Sequence, residues 1–90
     1  MVDMNVNNKS TTIEFVSDTD FFEKEETGVK PNTVRWLNEE KKATIKRMPP
    51  KHITIRDRFN RHRFTRKLTD ISELNNGMFI FSWRHKNDHR

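Results

Sequence analysis

The sequence contains no cysteine. Disulfide bonds, zinc sites built on thiolates and cysteine nucleophiles are therefore excluded. Because a small secreted domain usually needs disulfides to supplement its core, this absence favours a reducing cytoplasm. The sequence also has no apolar run near the roughly 18 residues that span a bilayer, and residues 1–10 carry no signal-peptide core, so we expect no membrane association.

Glycine is almost as scarce, because only Gly28 and Gly77 are present. A phosphate-binding Walker loop cannot be built from two separated glycines, and no serine has the glycine-flanked elbow of serine hydrolases. Four histidines are present, two of them (His85 and His89) four residues apart, but no acidic third ligand stands at a recognised spacing. We therefore expect no metal, no cofactor and no catalytic residues.

Hydrophobic residues are 31% of the 90-residue chain and charged residues 34%, a composition near that of disordered proteins. The apolar residues nevertheless cluster in short runs, and aromatics reach 10%. This clustering predicts one folded domain over residues 11–84, between a disordered lead of residues 1–10 and a disordered tail of residues 85–90.

The net charge of +5 is distributed unevenly. Residues 1–28 contain two lysines and seven acids, for a net −5, whereas residues 29–90 contain sixteen basic and six acidic residues, for a net +10. An acidic N-terminal segment followed by a basic remainder of the chain indicates an oriented electrostatic surface and an anionic partner.

The hydrophobic pattern predicts an α+β fold. Ser17 and Asp20 resemble a capping box for the first helix, Gly28 is a natural helix end, and Asn38 can cap the second helix. We expect strands over residues 11–16, 34–37, 52–57, 63–71 and 78–83, with helices over residues 17–27 and 39–47.

The core is predicted to contain the large apolar residues of these strands and of the first helix, while the charged run of residues 23–26 forms an exposed helix face. Residues 78–83 predict a central strand buried on both faces. The predicted core members are Ile13, Phe15, Phe22, Val34, Trp36, Ile53, Ile55, Leu68, Ile71, Phe79, Phe81 and Trp83.

Residues 56–67 form the densest basic cluster, with six Lys and Arg among twelve residues and two interleaved phenylalanines. Arginine binds phosphate and stacks on bases, and exposed aromatics stack on unpaired bases. Arg66 is ambiguous, because alternation from Phe64 to Leu68 places it on the core face unless a bulge resets the register, which we favour.

Several segments resemble small uncharacterised phage and prophage proteins of Gram-positive bacteria, and more distantly the ASCH and PUA-like group of small β-barrels. The resemblance covers roughly residues 12–84 and rests on short motifs at residues 21–28, 30–35, 53–56, 64–71 and 81–83. In the ASCH and PUA-like group, a helix ending in Gly-x-Lys leads into Thr-x-Arg. Gly28, Lys30, Thr33 and Arg35 match that stretch, with one residue more between Lys30 and Thr33 than in its tightest versions.

The resemblance implies a small barrel with a cleft lined by the segment from Lys30 to Arg35. Such domains are mostly thought to bind RNA or modified bases. A few hydrolyse amides on nucleosides with a lysine, a threonine and an acid, for which Lys30 and Thr33 match the first two. Glu39 or Glu40 could be the acid, and the spacing favours neither.

Taken together, these patterns predict a cytoplasmic, non-enzymatic module that binds RNA or single-stranded DNA. The alternatives are a phage-encoded protein that inhibits a host protein and a nucleoside amidohydrolase of the ASCH type. The expected nucleic-acid-binding residues are Lys30, Thr33, Arg35, Arg56, Arg58, Phe59, Arg61, Arg63 and Arg66.

Overall fold

The computed structural model describes residues 12–84, so the predicted lead of residues 1–10 and tail of residues 85–90 lie outside the described residues. Five strands and two helices follow one another in the predicted order. They are β1 (Thr12–Ser17), α1 (Thr19–Thr27), β2 (Asn32–Trp36), α2 (Glu39–Arg47), β3 (His52–Asp57), β4 (Arg63–Glu73) and β5 (Met78–Trp83). Neither helix has the length and apolar character needed to cross a bilayer.

The five strands form one mixed, curled sheet in the order β1-β3-β4-β5-β2. β1 pairs with β3 in parallel, and every other pairing is antiparallel. β1 and β2 are therefore the two edges of the sheet, although α1 is the only element between them in the sequence. The sheet curls into a half-barrel, which confirms the predicted α+β fold with a curved mixed sheet and two short helices.

Alternation along the strands builds the core. Ile53 and Ile55 of β3 are fully buried, and Phe79, Phe81 and Trp83 are the buried half of β5. The other half of β5 is only partly buried, so the prediction that both faces of this strand are buried is wrong. The predicted core is otherwise confirmed at Phe22, with Ile13, Phe15, Leu68 and Ile71 packed partly buried against it.

Two predicted core residues lie outside the core. Val34 and Trp36 of β2 are 46% and 64% exposed. Thr33 and Arg35, which alternate with them along β2, take the inward positions, because successive side chains of a strand point to opposite faces. The prediction from hydrophobicity that Val34 and Trp36 face the core is therefore wrong.

The start of α1 also differs from the predicted capping box. Asp18, not Ser17, is the N-cap residue, and no side-chain hydrogen bond caps the helix. The hydroxyl of Ser17 instead donates to Glu25 Oε1 at 2.9 Å. The second helix agrees with its prediction, since Asn38 Oδ1 accepts a hydrogen bond from the backbone N–H of Lys41 at 2.8 Å.

Phe81 offers the most direct test of this core. Its side chain is fully buried, and its ring centroid lies 5.2 Å from that of Phe15. Phe81→Ala should lower the free energy of unfolding by about 3–5 kcal/mol, because it leaves a cavity at the centre of a small core. Phe59→Ala, at an exposed loop position, is the control and should change it by less than about 0.5 kcal/mol. Equal unfolding midpoints in urea for the two variants would show that the inward face of β5 does not stabilise the core.

Candidate functional site

A cleft of about 380 Å³ opens where the two edges of the sheet approach each other beside α1. Its volume lies in the range of small-ligand pockets. Three cationic side chains and two carboxylates line it, together with two neutral polar and three apolar residues. These residues are Lys30, Arg35, Arg58, Asp18, Glu25, Ser17, Thr33, Val16, Phe21 and Val34.

Arg35 of β2 connects the two edges of the sheet across this cleft. Its Nη1 donates to the carbonyl oxygen of Val16 at 2.8 Å, and its Nη2 donates to Ser17 Oγ at 2.6 Å. Its Nε donates to Thr33 Oγ1 at 2.9 Å, and the guanidinium lies 4.9 Å from the ring centroid of Phe15. Arg35 therefore holds β1 and β2 together without a backbone ladder between them.

A buried carboxylate lies at the base of the cleft. Glu25 is only 2% exposed, and its Oε2 lies 4.0 Å from Lys30 Nζ. Burial lowers the pKa of the Arg35 guanidinium, while Glu25 raises it and Arg58 lowers it further. Arg35 nevertheless remains a cation, because arginine does not lose its proton in proteins. The cleft thus combines three cationic donors with two carboxylates, of which Glu25 is buried.

Arg58 enters the cleft from the loop between β3 and β4, and that loop is tightly constrained. The backbone N–H of Arg58 donates a hydrogen bond to the backbone carbonyl of Ser17 at 2.8 Å. Asp57 Oδ1 accepts hydrogen bonds from the backbone N–H groups of Phe59 and Asn60 and from the hydroxyl of Thr19. Burial raises the pKa of Asp57, but these hydrogen bonds outweigh it and hold the pKa below its ordinary value. The loop is therefore organised around an ionised Asp57.

Arg56 and Arg63 lie on the opposite face of the sheet from the core. They oppose each other in the β3–β4 ladder, next to the core pair Ile55 and Phe64. Like charges in directly opposed positions destabilise a ladder. Glu14 of β1 offsets part of this repulsion, since its Oε2 lies 3.5 Å from Arg56 Nε. This outer pair leads directly into the loop that contains Arg58.

The tip of the loop contains Phe59 and Arg61. Phe59 is 72% exposed, and Arg61 has a positive φ of 66°, a left-handed conformation that closes the hairpin. Exposure leaves the aromatic ring accessible for stacking on a planar ligand.

Arg66 is placed differently from the other hairpin arginines. It pairs with Ile53 in unbroken register, and the register shift in β4 comes later, between Leu68 and Asp70. The bulge favoured at Arg66 is therefore wrong. Its guanidinium lies 4.7 Å from the Phe64 ring, and its Nη2 donates to the carbonyl of Glu26 at 3.0 Å. Burial lowers its pKa, partly offset by Glu26.

The structure places Lys30, Thr33 and Arg35 in one cleft, as the sequence motif predicts. The motif does not predict the carboxylate of Glu25 that lies in the same cleft. The prediction that residues 23–26 form an exposed helix face is wrong for Glu25, which stands three residues after Phe22 and shares the buried face of α1. Glu39 and Glu40, the acids considered in its place, lie in the first turn of α2 and outside the cleft. The three-residue spacing from Phe22 is the sequence signal that predicts the burial of Glu25.

Another cavity, of about 470 Å³, lies between α2 and the start of β1. Its walls include the apolar side chains of Ile13, Ile45 and Met48, and its charged lining residues are Glu40 and Lys41, against five charged residues in the cleft. Within residues 12–84, no group of three or more His, Asp and Glu side chains is close enough to hold a metal ion. His85 and His89 lie outside the described residues.

Comparisons with protein-family models, with curated proteins and with solved structures gave no match to this chain. The resemblance to phage proteins and to ASCH and PUA-like domains therefore stays a prediction from the sequence motifs.

The bridging role of Arg35 predicts a loss of stability when its donors are removed. Arg35→Met should lower the free energy of unfolding by about 1–3 kcal/mol, because it leaves the carbonyl of Val16 and the hydroxyl of Thr33 without their donor. Arg35→Lys should have a smaller effect, since one ammonium keeps the charge but not the directed bonds. Arg63→Met, an exposed control, should be near neutral in urea denaturation. Equal destabilisation by Arg35→Met and Arg63→Met would contradict the bridge.

Proposed function

We propose that the protein binds single-stranded nucleic acid, either RNA or DNA, through the cleft and the β3–β4 hairpin acting as one site. The observation that supports this most directly is the position of Arg58, which belongs to the basic hairpin loop and also lines the cleft with Lys30 and Arg35. Two basic features that are separate in the sequence thereby become adjacent.

Accessible cations of the hairpin supply the affinity in this proposal. Among residues 12–84, no carboxylate forms an ion pair with Arg61 or Arg63. Both side chains are exposed, so phosphates can approach them without burying an unpaired charge. Counterion release on neutralising phosphates favours binding and makes the affinity depend on salt. Arg66 contributes little, because its guanidinium is directed at Phe64 and at α1.

The cleft supplies a place for one unpaired base. Phe21 and Val34 are exposed apolar residues at its wall, and its polar residues present both donors and a carboxylate acceptor. Base edges carry the complementary mixture of acceptors and donors. A PUA-like barrel belongs to the same proposal, supported by the curled sheet and by the motif from Gly28 to Arg35. The proposed phage origin rests on the sequence motifs alone, and the proposed cytoplasmic location rests on the absence of cysteine.

Replacing three loop arginines tests the proposal. The variant Arg58→Ser, Arg61→Ser, Arg63→Ser should remain folded, because all three side chains are exposed. It should bind a single-stranded oligonucleotide more weakly, and the slope of log affinity against log salt should flatten by about one unit for each phosphate that is no longer neutralised. Phe59→Ala should weaken binding by about 1–3 kcal/mol if the ring stacks on a base.

A salt titration of wild type and variant by fluorescence anisotropy measures both effects. A triple replacement of Lys41, Arg47 and Lys51 is the matched control, because these exposed cations form no ion pair among residues 12–84 and lie outside the loop. If wild type binds no nucleic acid at low salt, the proposal fails, and inhibition of a host protein becomes the better account. A pull-down from host lysate with and without nuclease then identifies that partner.

One observation favours a second function, hydrolysis of an amide on a nucleoside. The resemblance required an acid beside Lys30 and Thr33, and Glu25 lies 4.0 Å from Lys30 in the cleft that Thr33 lines. A lysine, a hydroxyl and a carboxylate in one pocket can exchange protons during attack of water on an amide carbonyl. This arrangement is compatible with nucleoside-sized substrates, given the cleft volume.

Incubation with an N-acylated nucleoside, followed by measurement of the released carboxylic acid, tests this second function. Release is expected from wild type and should fall at least about a hundredfold in Lys30→Met, the reduction typical of removing a general acid or base. Lys41→Met, on the exposed face of α2, should retain full activity. No release above the buffer rate would reject hydrolysis and leave the binding function unaffected.

A further inference from the structure

Asp18 occupies the N-cap position of α1 but does not cap the helix. Its backbone is extended, with φ −71° and ψ 157°, as an N-cap residue requires. Aspartate at this position ordinarily accepts a hydrogen bond from a backbone N–H of the first helical turn. Here no such side-chain bond is present. The carboxylate is directed elsewhere.

Its partner is the arginine at the cleft wall. Asp18 Oδ1 accepts a hydrogen bond from Arg58 Nε at 2.6 Å, and both side chains are 57% exposed. The pair therefore lies at the mouth of the cleft, in contact with solvent. An exposed ion pair of this kind stabilises a fold by little.

The ion pair is also unnecessary for holding the loop in place. The backbone of Arg58 is fixed by its hydrogen bond to Ser17, and the following residues are fixed by Asp57. Only the guanidinium of Arg58 depends on Asp18. A change at Asp18 should therefore alter the availability of that guanidinium without moving the loop.

We propose that Asp18 is an internal competitor for the anionic ligand, so that a phosphate must displace its carboxylate from Arg58 to bind at the mouth of the cleft. This inference rests on the proposed nucleic-acid-binding function. Displacement costs little, because the released carboxylate can accept hydrogen bonds from the uncapped first turn of α1 and lies at the positive end of the helix dipole. Ligands that cannot place an anion at Arg58 leave the ion pair intact.

The competitor model predicts the sign of one substitution. Asp18→Asn removes the charge but keeps an N-cap side chain, so the fold should be unaffected. Its affinity for a single-stranded oligonucleotide at low salt should rise about two- to fivefold, the range expected for removing one exposed ion pair. Asp20→Asn removes the same charge two residues further along α1, where no ion pair to Arg58 exists, and should raise affinity less.

A double-mutant cycle assigns the effect to Arg58. In an Arg58→Ser background, Asp18→Asn should raise affinity no more than Asp20→Asn does, since the competition no longer exists. Equal effects of the two substitutions in the wild-type background would overturn the inference while leaving nucleic-acid binding established. Weaker binding by Asp18→Asn would also overturn it, because Asp18 would then position Arg58 for the ligand. Absence of binding by wild type would instead reject the proposed function itself.

Discussion

The hydrogen bonds of Arg35 across the mouth of the half-barrel are the constraint on which the remaining structure depends. β1 and β2 are opposite edges of a five-stranded sheet, and the guanidinium reaches from one to the other. Ser17, which accepts a hydrogen bond from Arg35, also donates one to Glu25 and so fixes α1 beside the same opening. The cleft exists because the edges are held together by one side chain instead of a backbone ladder. A continuous ladder would have closed the barrel and removed the pocket.

The same fold brings acidic and basic segments of the chain into contact. Two acids near the start of the described residues lie against the basic hairpin, where Glu14 pairs with Arg56 and Asp18 pairs with Arg58. The accessible charges of the hairpin are therefore concentrated at the loop tip and at the start of β4. Local ion pairing, and not the net charge, decides which of its arginines are left without a carboxylate partner among residues 12–84.

The order and the approximate bounds of the elements could be predicted, because alternation, helix caps and turn residues are local signals. The cleft segment from Lys30 to Arg35 could be predicted from its motif. The burial of Glu25 and the exposure of Trp36 could not be read from residue type. A carboxylate is buried here because a serine hydroxyl donates to it and a lysine lies nearby, and a tryptophan is exposed because Arg35 takes the inward positions of β2. The inward position of Arg35 is set by its partners on β1, which lie 18 and 19 residues away in the sequence.

Backbone amide chemical shifts during titration with a short single-stranded oligonucleotide test most directly whether the cleft and the hairpin form one site. The account predicts that residues 28–35 and residues 56–63 shift together, along one binding curve, while α2 is unaffected. Shifts confined to α2, or shifts of residues 28–35 without those of the hairpin, would contradict it.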